Sequence, residues 1–269
     1  MNVRVPINVI QTAKPPQQAS KKVASFKPDL LQTEDHHLCP GCGEPVAVRL
    51  ILETLQEMDL VKENICVLGH GCYGTFMSTM DIDCTLCLHG RAPANSTGIK
   101  RMRPEKLVWT LQGDGDMVSE GLAEILHAAA RGEDITCFML NNGVFGDTGG
   151  QMTAASVVGQ RTKTSIEGRN PDYHGYPVPL ANLLSTMQGV GYVARGSVHN
   201  AASIAQAKKM VHRAFERQLQ KRGLGLVEIL TMCPTGWFVP TNTGPEYMLE
   251  SLGKTYPLGE LKDEGKAGN

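Results

Sequence analysis

The sequence predicts an α/β fold with a doubly wound, mostly parallel sheet, and three observations carry that expectation. Short apolar runs, several closed by glycine, alternate along the chain with longer segments of helical period, the signature of strands joined by crossover helices. A length of 269 residues, 41% of them hydrophobic, supplies enough apolar side chains to cover such a sheet on both faces. Lys and Arg number 26 against 27 Asp and Glu, a formal charge of −1, which excludes the broad electrostatic footprint of a nucleic-acid-binding or anionic-membrane-binding protein.

Residues 1–35 show neither period and carry Pro6, Pro15, Pro16 and Pro28, so they read as an extended arm that orders against a partner. The folded domain is expected over 36–243. It opens with a helix from Glu44 to Met58, where Val46, Leu50, Ile51 and Leu55 recur on one face. Ile65 to Leu68 is a buried strand stopped by Gly69 and Gly71. Lys106 to Leu111 and Ile135 to Leu140 are further strands, separated by an Ala/Leu-rich helix from Met117 to Arg131. Gly191 to Ala194, a helix from Ala201 to Gln220, and Leu226 to Leu230 continue the alternation. Residues 244–269 are mostly polar and read as a C-terminal tail.

No uninterrupted apolar stretch is long enough for a membrane-spanning helix, and the N-terminus has no apolar signal core, so a cytoplasmic chain is expected. In that compartment eight cysteines read as thiols or metal ligands rather than disulfides.

In a parallel sheet of this kind ligands bind beyond the carboxyl ends of the strands. There, after the strand Lys106 to Leu111, stands Gly113-Asp114-Gly115-Asp116 at the mouth of a helix. The glycines allow close backbone approach, and the helix N-terminus offers free amides to a phosphate. A dinucleotide fingerprint fails, because its third glycine would fall on Val118 and an acid occupies the loop. Asp114 points to a hard cation that neutralises a diphosphate, and Asn142, on the loop after the next strand, is placed to supply a second oxygen.

Cys39-Pro40-Gly41-Cys42 puts two thiols on one tight turn, a pattern shared by zinc, redox and iron–sulfur sites. Two completions are open. Cys84 and Cys87 would make a four-thiolate zinc site, across a long spacer containing a whole helix and strand. Cys72, flanked by Gly71 and Gly74, and Cys233, followed by Pro234, are favoured by their loops, which suit an exposed sulfur.

The GDG loop followed by NN resembles the motif of thiamine diphosphate enzymes. With CPGCG, the glycine-flanked Cys72, HGRAPANSTGIKR from His89 to Arg101, NNGVFGDTGGQ from Asn141 to Gln151, GQRTKTS and CPTGW, the segment from Leu38 to Pro257 resembles the β, thiamine-binding subunit of 2-oxoacid:ferredoxin oxidoreductases. The resemblance implies the thiamine diphosphate-binding fold. It further implies Mg²⁺ held by Asp114, Asn142 and the carbonyl of Val144; a [4Fe–4S] cluster on Cys39, Cys42, Cys72 and Cys233; and cofactor contacts from Gly113, Gly115, Asp116, His70 and Arg91. Asp147, Thr148 and His89 would lie by the reacting carbon. The activity implied is coenzyme A-dependent oxidative decarboxylation of a 2-oxoacid, branched-chain or aromatic, of the 2-oxoisovalerate or phenylglyoxylate type. The implied partners are an α subunit supplying the activating Glu, γ and ferredoxin-like Fe–S subunits, and a flavin subunit. Rival readings are the diphosphate-binding half of a split, non-oxidative decarboxylase, or a zinc-stabilised scaffold. Arg161, Lys163 and Arg169 read as a basic loop that meets a partner or coenzyme A.

Overall fold

A computed structural model describes residues 28–32 and 36–264. The expected strands lie in one seven-stranded sheet. In chain order the described elements begin with α1 (Glu44–Glu57), β1 (Asn64–Leu68), β2 (Cys84–Leu86), α2 (Ala92–Met102), β3 (Leu107–Gly113), α3 (Leu122–Arg131) and β4 (Thr136–Asn141). A hairpin, β5 (Val144–Phe145) and β6 (Gln151–Met152), precedes the short helices α4 (Pro171–His174) and α5 (Leu180–Ser185). Then come β7 (Val190–Ser197), α6 (Ala201–Leu219), β8 (Leu224–Leu230), α7 (Pro234–Trp237), α8 (Gly244–Glu250), α9 (Leu252–Thr255) and β9 (Gly259–Asp263).

The sheet order is β2-β1-β3-β4-β8-β7-β9, parallel throughout except for β9 against β7. From β1 the chain runs outward to β2 and then returns to β3 on the other side. The carboxyl ends of β1 and β3 therefore flank the point where winding reverses, the place where open α/β sheets bind ligands. Strand side chains alternate between two apolar layers. Cys66, Leu68, Trp109, Leu111, Phe138 and Leu140 pack with α1 and α6, whereas Val67, Val108, Cys137 and Met139 pack with α2, α3 and α5. Trp109, Phe138 and Phe215 meet edge to face in the first layer.

Three departures from the sequence reading have physical causes. The helix expected from Met117 opens as a wide π-helical turn, Gly115–Glu120, and becomes α-helical only at Leu122. Gly115 lies so close to the Phe145 ring that any Cβ would collide with it, so the residue opening this turn is held to glycine by packing from another loop. The segment read as a tail from Gly244 onward instead folds onto the sheet. Its β9 pairs with β7, Tyr256 is 1% exposed and Met248 fully buried, so few apolar residues were enough once an edge strand offered hydrogen bonds. Third, β2 and α2 were not expected, because Cys84–Leu86 is too short to show a period and Ala92–Met102 carries a weak apolar stripe. The N-terminal arm, apart from residues 28–32, lies outside the described residues. Among the described residues no helix is long and apolar enough to cross a membrane.

Candidate functional site

Four loops leave the carboxyl ends of four adjacent strands, β1, β3, β4 and β8, and each brings a motif picked out in the sequence. Gly69–Cys72 follows β1, Asp114–Asp116 follows β3, Asn142–Val144 follows β4 and Cys233 follows β8. One pocket is lined by Gly113, Asp114, Gly115, Asp116, Asn142, Val144, His70, His89, Asp147 and Thr148, together with Glu44.

Asp114 is 1% exposed. Its Oδ1 accepts from Asn142 N at 3.2 Å and its Oδ2 from Thr153 Oγ1 at 2.5 Å. Burial pushes its carboxyl up to about 7, against the pull of those hydrogen bonds. Asn142 Oδ1 accepts a single hydrogen bond, from Val144 N at 3.0 Å, which leaves a lone pair. A buried acid that resists ionisation, beside an amide oxygen with spare capacity, is a donor set suited to a hard divalent cation.

Asp116 acts differently. Tyr73 Oη donates to its Oδ2 at 3.0 Å, Gln112 Nε2 to Oδ2 at 2.9 Å and Gly90 N to Oδ1 at 2.6 Å. Its Oδ1 also lies 2.7 Å from His89 Nδ1, outside hydrogen-bond alignment. Asp116 thereby fastens the Gly90 backbone to Tyr73 and Gln112 while lining the pocket. His70 Nδ1 meets the Cys87 carbonyl at 2.8 Å. A carbonyl only accepts, so that contact puts the proton on Nδ1 and leaves Nε2 free. The two imidazoles stack at 6.1 Å, and Phe145 meets His89 edge-on at 5.9 Å. Arg91, expected at the cofactor, instead pairs with Glu124 and is not among the lining residues.

The hairpin of β5 and β6 carries Asp147 and Thr148 at its tip, where Thr148 Oγ1 donates to Gln151 Oε1 at 2.8 Å. Gly146 in the same tip faces two sulfurs: a Cβ there would lie 3.4 Å from Cys72 Sγ and 3.6 Å from Cys233 Sγ. Those cysteines line a second cavity, of about 660 Å³, with Cys39 and Cys42. Cys84 and Cys87 are absent from its lining. Burial pushes the Cys72 thiol up to about 12 and that of Cys233 to about 11, and raises Cys42 further still. Neighbouring sulfurs add to the rise: Cys42 feels Cys72 and Cys233, Cys72 feels Cys39 and Cys233, and Cys233 feels Cys39. Among the described residues no group of three or more His, Cys, Asp or Glu side chains is arranged to hold a single metal ion. Four thiols around one roomy cavity, three of them partly buried and Cys39 exposed, are donors that a cationic inorganic cluster would convert to thiolates.

Glu44 is the residue sequence reasoning missed. As the first residue of α1, directly after the cysteine turn, it reads as an ordinary N-terminal helix acid. In the fold it is 3% exposed and lines both cavities. Burial, then Asp114 and Asp147, push its carboxyl up to about 8. Nothing local in the sequence marks it. The basic loop is also altered: Arg169 turns inward and donates to the carbonyls of Thr153, Ala154, Ser156, His174, Gly175 and Tyr176, so it knits the 153–176 loop together. Arg161 and Lys163 stay exposed.

Residues 69–229 match the family described as thiamine pyrophosphate enzyme, C-terminal TPP binding domain. The chain is 36% identical, over 84% of its length, to the ketoisovalerate oxidoreductase subunit VorA of Methanothermobacter marburgensis, of which it spans only 48%. It is 32% identical, over 73% of its length and 69% of the relative's, to the 2-oxoglutarate synthase subunit KorB of Archaeoglobus fulgidus. Its fold is similar to that of the 2-oxoglutarate:ferredoxin oxidoreductase of Magnetococcus marinus, with a TM-score of 0.71 at 23% identity, covering 93% of this chain and 88% of that one. The pocket between the GDGD and Asn142 loops thus sits in a thiamine pyrophosphate-binding domain, and the chain belongs to the β-subunit family of the 2-oxoacid:ferredoxin oxidoreductases.

Proposed function

We propose that this chain is the thiamine diphosphate- and [4Fe–4S]-binding subunit of a cytoplasmic, multi-subunit oxidoreductase that converts a branched-chain or aromatic 2-oxoacid and coenzyme A to acyl-CoA and carbon dioxide. The balance is one 2-oxoacid anion and one thiol giving acyl-CoA, CO₂, one proton and two electrons. The observation that carries the reading is the shared wall: Glu44, Cys72, Gly146 and Asp147 line both the Asp114 pocket and the four-thiol cavity. A carbon centre that must lose two electrons singly needs such a neighbour. The 36% identity to a ketoisovalerate oxidoreductase subunit supports the branched-chain sense.

Thiamine diphosphate supplies, when bound, the nucleophilic carbon that attacks the 2-carbonyl and accepts the electrons left by departing CO₂. The chain's residues orient it. Asp114, the Asn142 side chain and the Val144 carbonyl would hold Mg²⁺, and the free backbone amides of the turn from Gly115 would serve the diphosphate. Cys39, Cys42, Cys72 and Cys233 hold the cluster. His89, whose loop Asp116 fastens through Gly90 N, would present its imidazole to the reacting centre, and Asp147 with Thr148 would border the substrate. The α subunit supplies the Glu that activates the pyrimidine, and further iron–sulfur and flavin subunits carry the electrons away.

The test is the native complex, purified anaerobically. Iron and acid-labile sulfide at about four each per chain, Mg²⁺-dependent thiamine diphosphate binding, and viologen reduction with 3-methyl-2-oxobutanoate or phenylglyoxylate are the expected results. Thiamine binding without iron would overturn the oxidative reading in favour of a split decarboxylase. Zinc with no thiamine binding would leave only a scaffold.

A further inference from the structure

Both thiol-bearing segments reach across to the same residue of the Asn142–Val144 loop. From the turn after Cys42, Glu44 Oε1 accepts a hydrogen bond from Asn142 Nδ2 at 3.4 Å. From the turn after Cys233, Trp237 Nε1 donates to the Asn142 backbone carbonyl at 2.7 Å. All three residues are buried: Glu44 is 3%, Asn142 4% and Trp237 3% exposed. The two segments are also tied to each other, since Gly43 N donates to the Met232 carbonyl at 3.0 Å. Within the second segment, Trp237 N donates to the Cys233 carbonyl at 3.0 Å, so the indole moves with the cysteine's backbone.

On its opposite side Asn142 donates its N–H to Asp114 Oδ1 at 3.2 Å and receives the Val144 N–H at 3.0 Å. Asn142 is thus a joint, with one set of bonds running to the cysteine turns and the other to the Asp114 pocket. The arrangement is kept at a cost, because Glu44 Oε2 is buried with no hydrogen-bond partner among the described residues. A joint held from two sides transmits order: whichever ligand first immobilises its own side leaves less conformational freedom for the other to remove.

Resting on the functional reading above, we propose that Trp237 and Glu44 are positioning residues that couple the two cavities through Asn142, so that filling the thiol cavity with its cluster tightens binding of Mg²⁺ and thiamine diphosphate. Coupling of this kind is reciprocal and typically amounts to roughly 5–150-fold in affinity. The indole supplies the short, well-formed bond and Glu44 the longer one, so Trp237 carries more of the effect.

The experiment is a calorimetric titration of Mg²⁺ at fixed thiamine diphosphate, on the anaerobic complex with its partner subunits, before and after iron is stripped by a chelator. The intact wild-type complex should bind at least about fivefold more tightly than the stripped one. Trp237→Phe, which keeps the ring and loses the N–H, should retain its iron and bring that ratio below about twofold. Glu44→Ala should lower the ratio and Glu44→Gln restore it, because the Gln oxygen accepts the same bond; this pair decides the matter if Trp237→Phe does not fold. Equal affinity in intact and stripped wild type, or a full ratio in Trp237→Phe, overturns the coupling alone. No Mg²⁺-dependent thiamine diphosphate binding in either form overturns the functional reading along with it.

Discussion

Asp114 and Glu44 show what burial does to a carboxyl. Both are held above the usual carboxylate range, at about 7 and about 8, so each keeps a proton in the folded chain that the unfolded chain has already released. The folded state therefore binds more protons, and its stability falls as pH rises through that window. The cofactor-free chain should melt at a progressively lower temperature between pH 5.5 and 8.5, and Asp114→Asn and Glu44→Gln should each flatten the decline. Asp114→Asn should also weaken Mg²⁺-dependent thiamine diphosphate binding by more than the roughly 10–100-fold that loss of an outer partner costs, as read by titration. Asp147 lines both cavities. Asp147→Asn in the full complex should change the ratio of kcat/KM between pyruvate and a branched-chain 2-oxoacid by about tenfold or more, the scale a single pocket contact supplies. An unaltered substrate profile would remove Asp147 from specificity. Of the residues around the two cavities, Asp114, Asn142, His89 and the cysteines were legible because each stands in a short motif, several of them on the loop after a strand. Glu44, Tyr73 and Gln112 were not, because their partners lie far along the chain or their residue types are common in any helix or strand.

At the scale of elements, the central strands are pinned by a buried charged chain. Asn141 of β4 donates to Glu228 of β8 at 2.7 Å, and Arg195 of β7 donates to the other Glu228 oxygen at 2.7 Å, with both charged side chains 1% exposed. Asn141 immediately precedes the Asn142–Val144 loop, so this chain also fixes where Asn142 begins. Arg195→Met should strand the Glu228 charge and cost about 3–5 kcal/mol, measured as a lower urea midpoint with unchanged slope. Adding Glu228→Leu should recover much of the loss, since an apolar pair of similar volume needs no partner. The strands themselves were readable from apolar runs, whereas this pairing was not, because Arg195 and Glu228 stand far apart in sequence and meet only as β-register partners. The π-helical turn at Gly115–Glu120 escaped for a similar reason: the Phe145 ring packed against Gly115 comes from a different loop.

Across the whole molecule, the last described strand closes the sheet. β9 covers the free edge of β7, Tyr256 Oη donates to the Ala155 carbonyl at 2.7 Å, and Arg217 Nε pairs with Asp263 at 2.7 Å. Truncation after Thr243 should therefore expose that edge and give a chain that aggregates or melts well below the full one, checked by solubility and thermal unfolding. A tail free of the fold would leave both unchanged. What the sequence by itself determined is local: the alternation of strands and helices, the glycine turn after β3, the paired thiols and the family that these motifs identify. Those signals persist in one dimension because periodicity, tight turns and metal-ligand spacing depend on near neighbours. Only the tertiary structure decided that the Asp114 pocket and the thiol cavity share a wall, that Glu44 stands in it, that Arg91 and Arg169 are engaged elsewhere, and that the polar end of the chain belongs to the sheet. Each of these depends on which loops the strand order brings side by side, and strand order is set by the packing of both apolar layers at once.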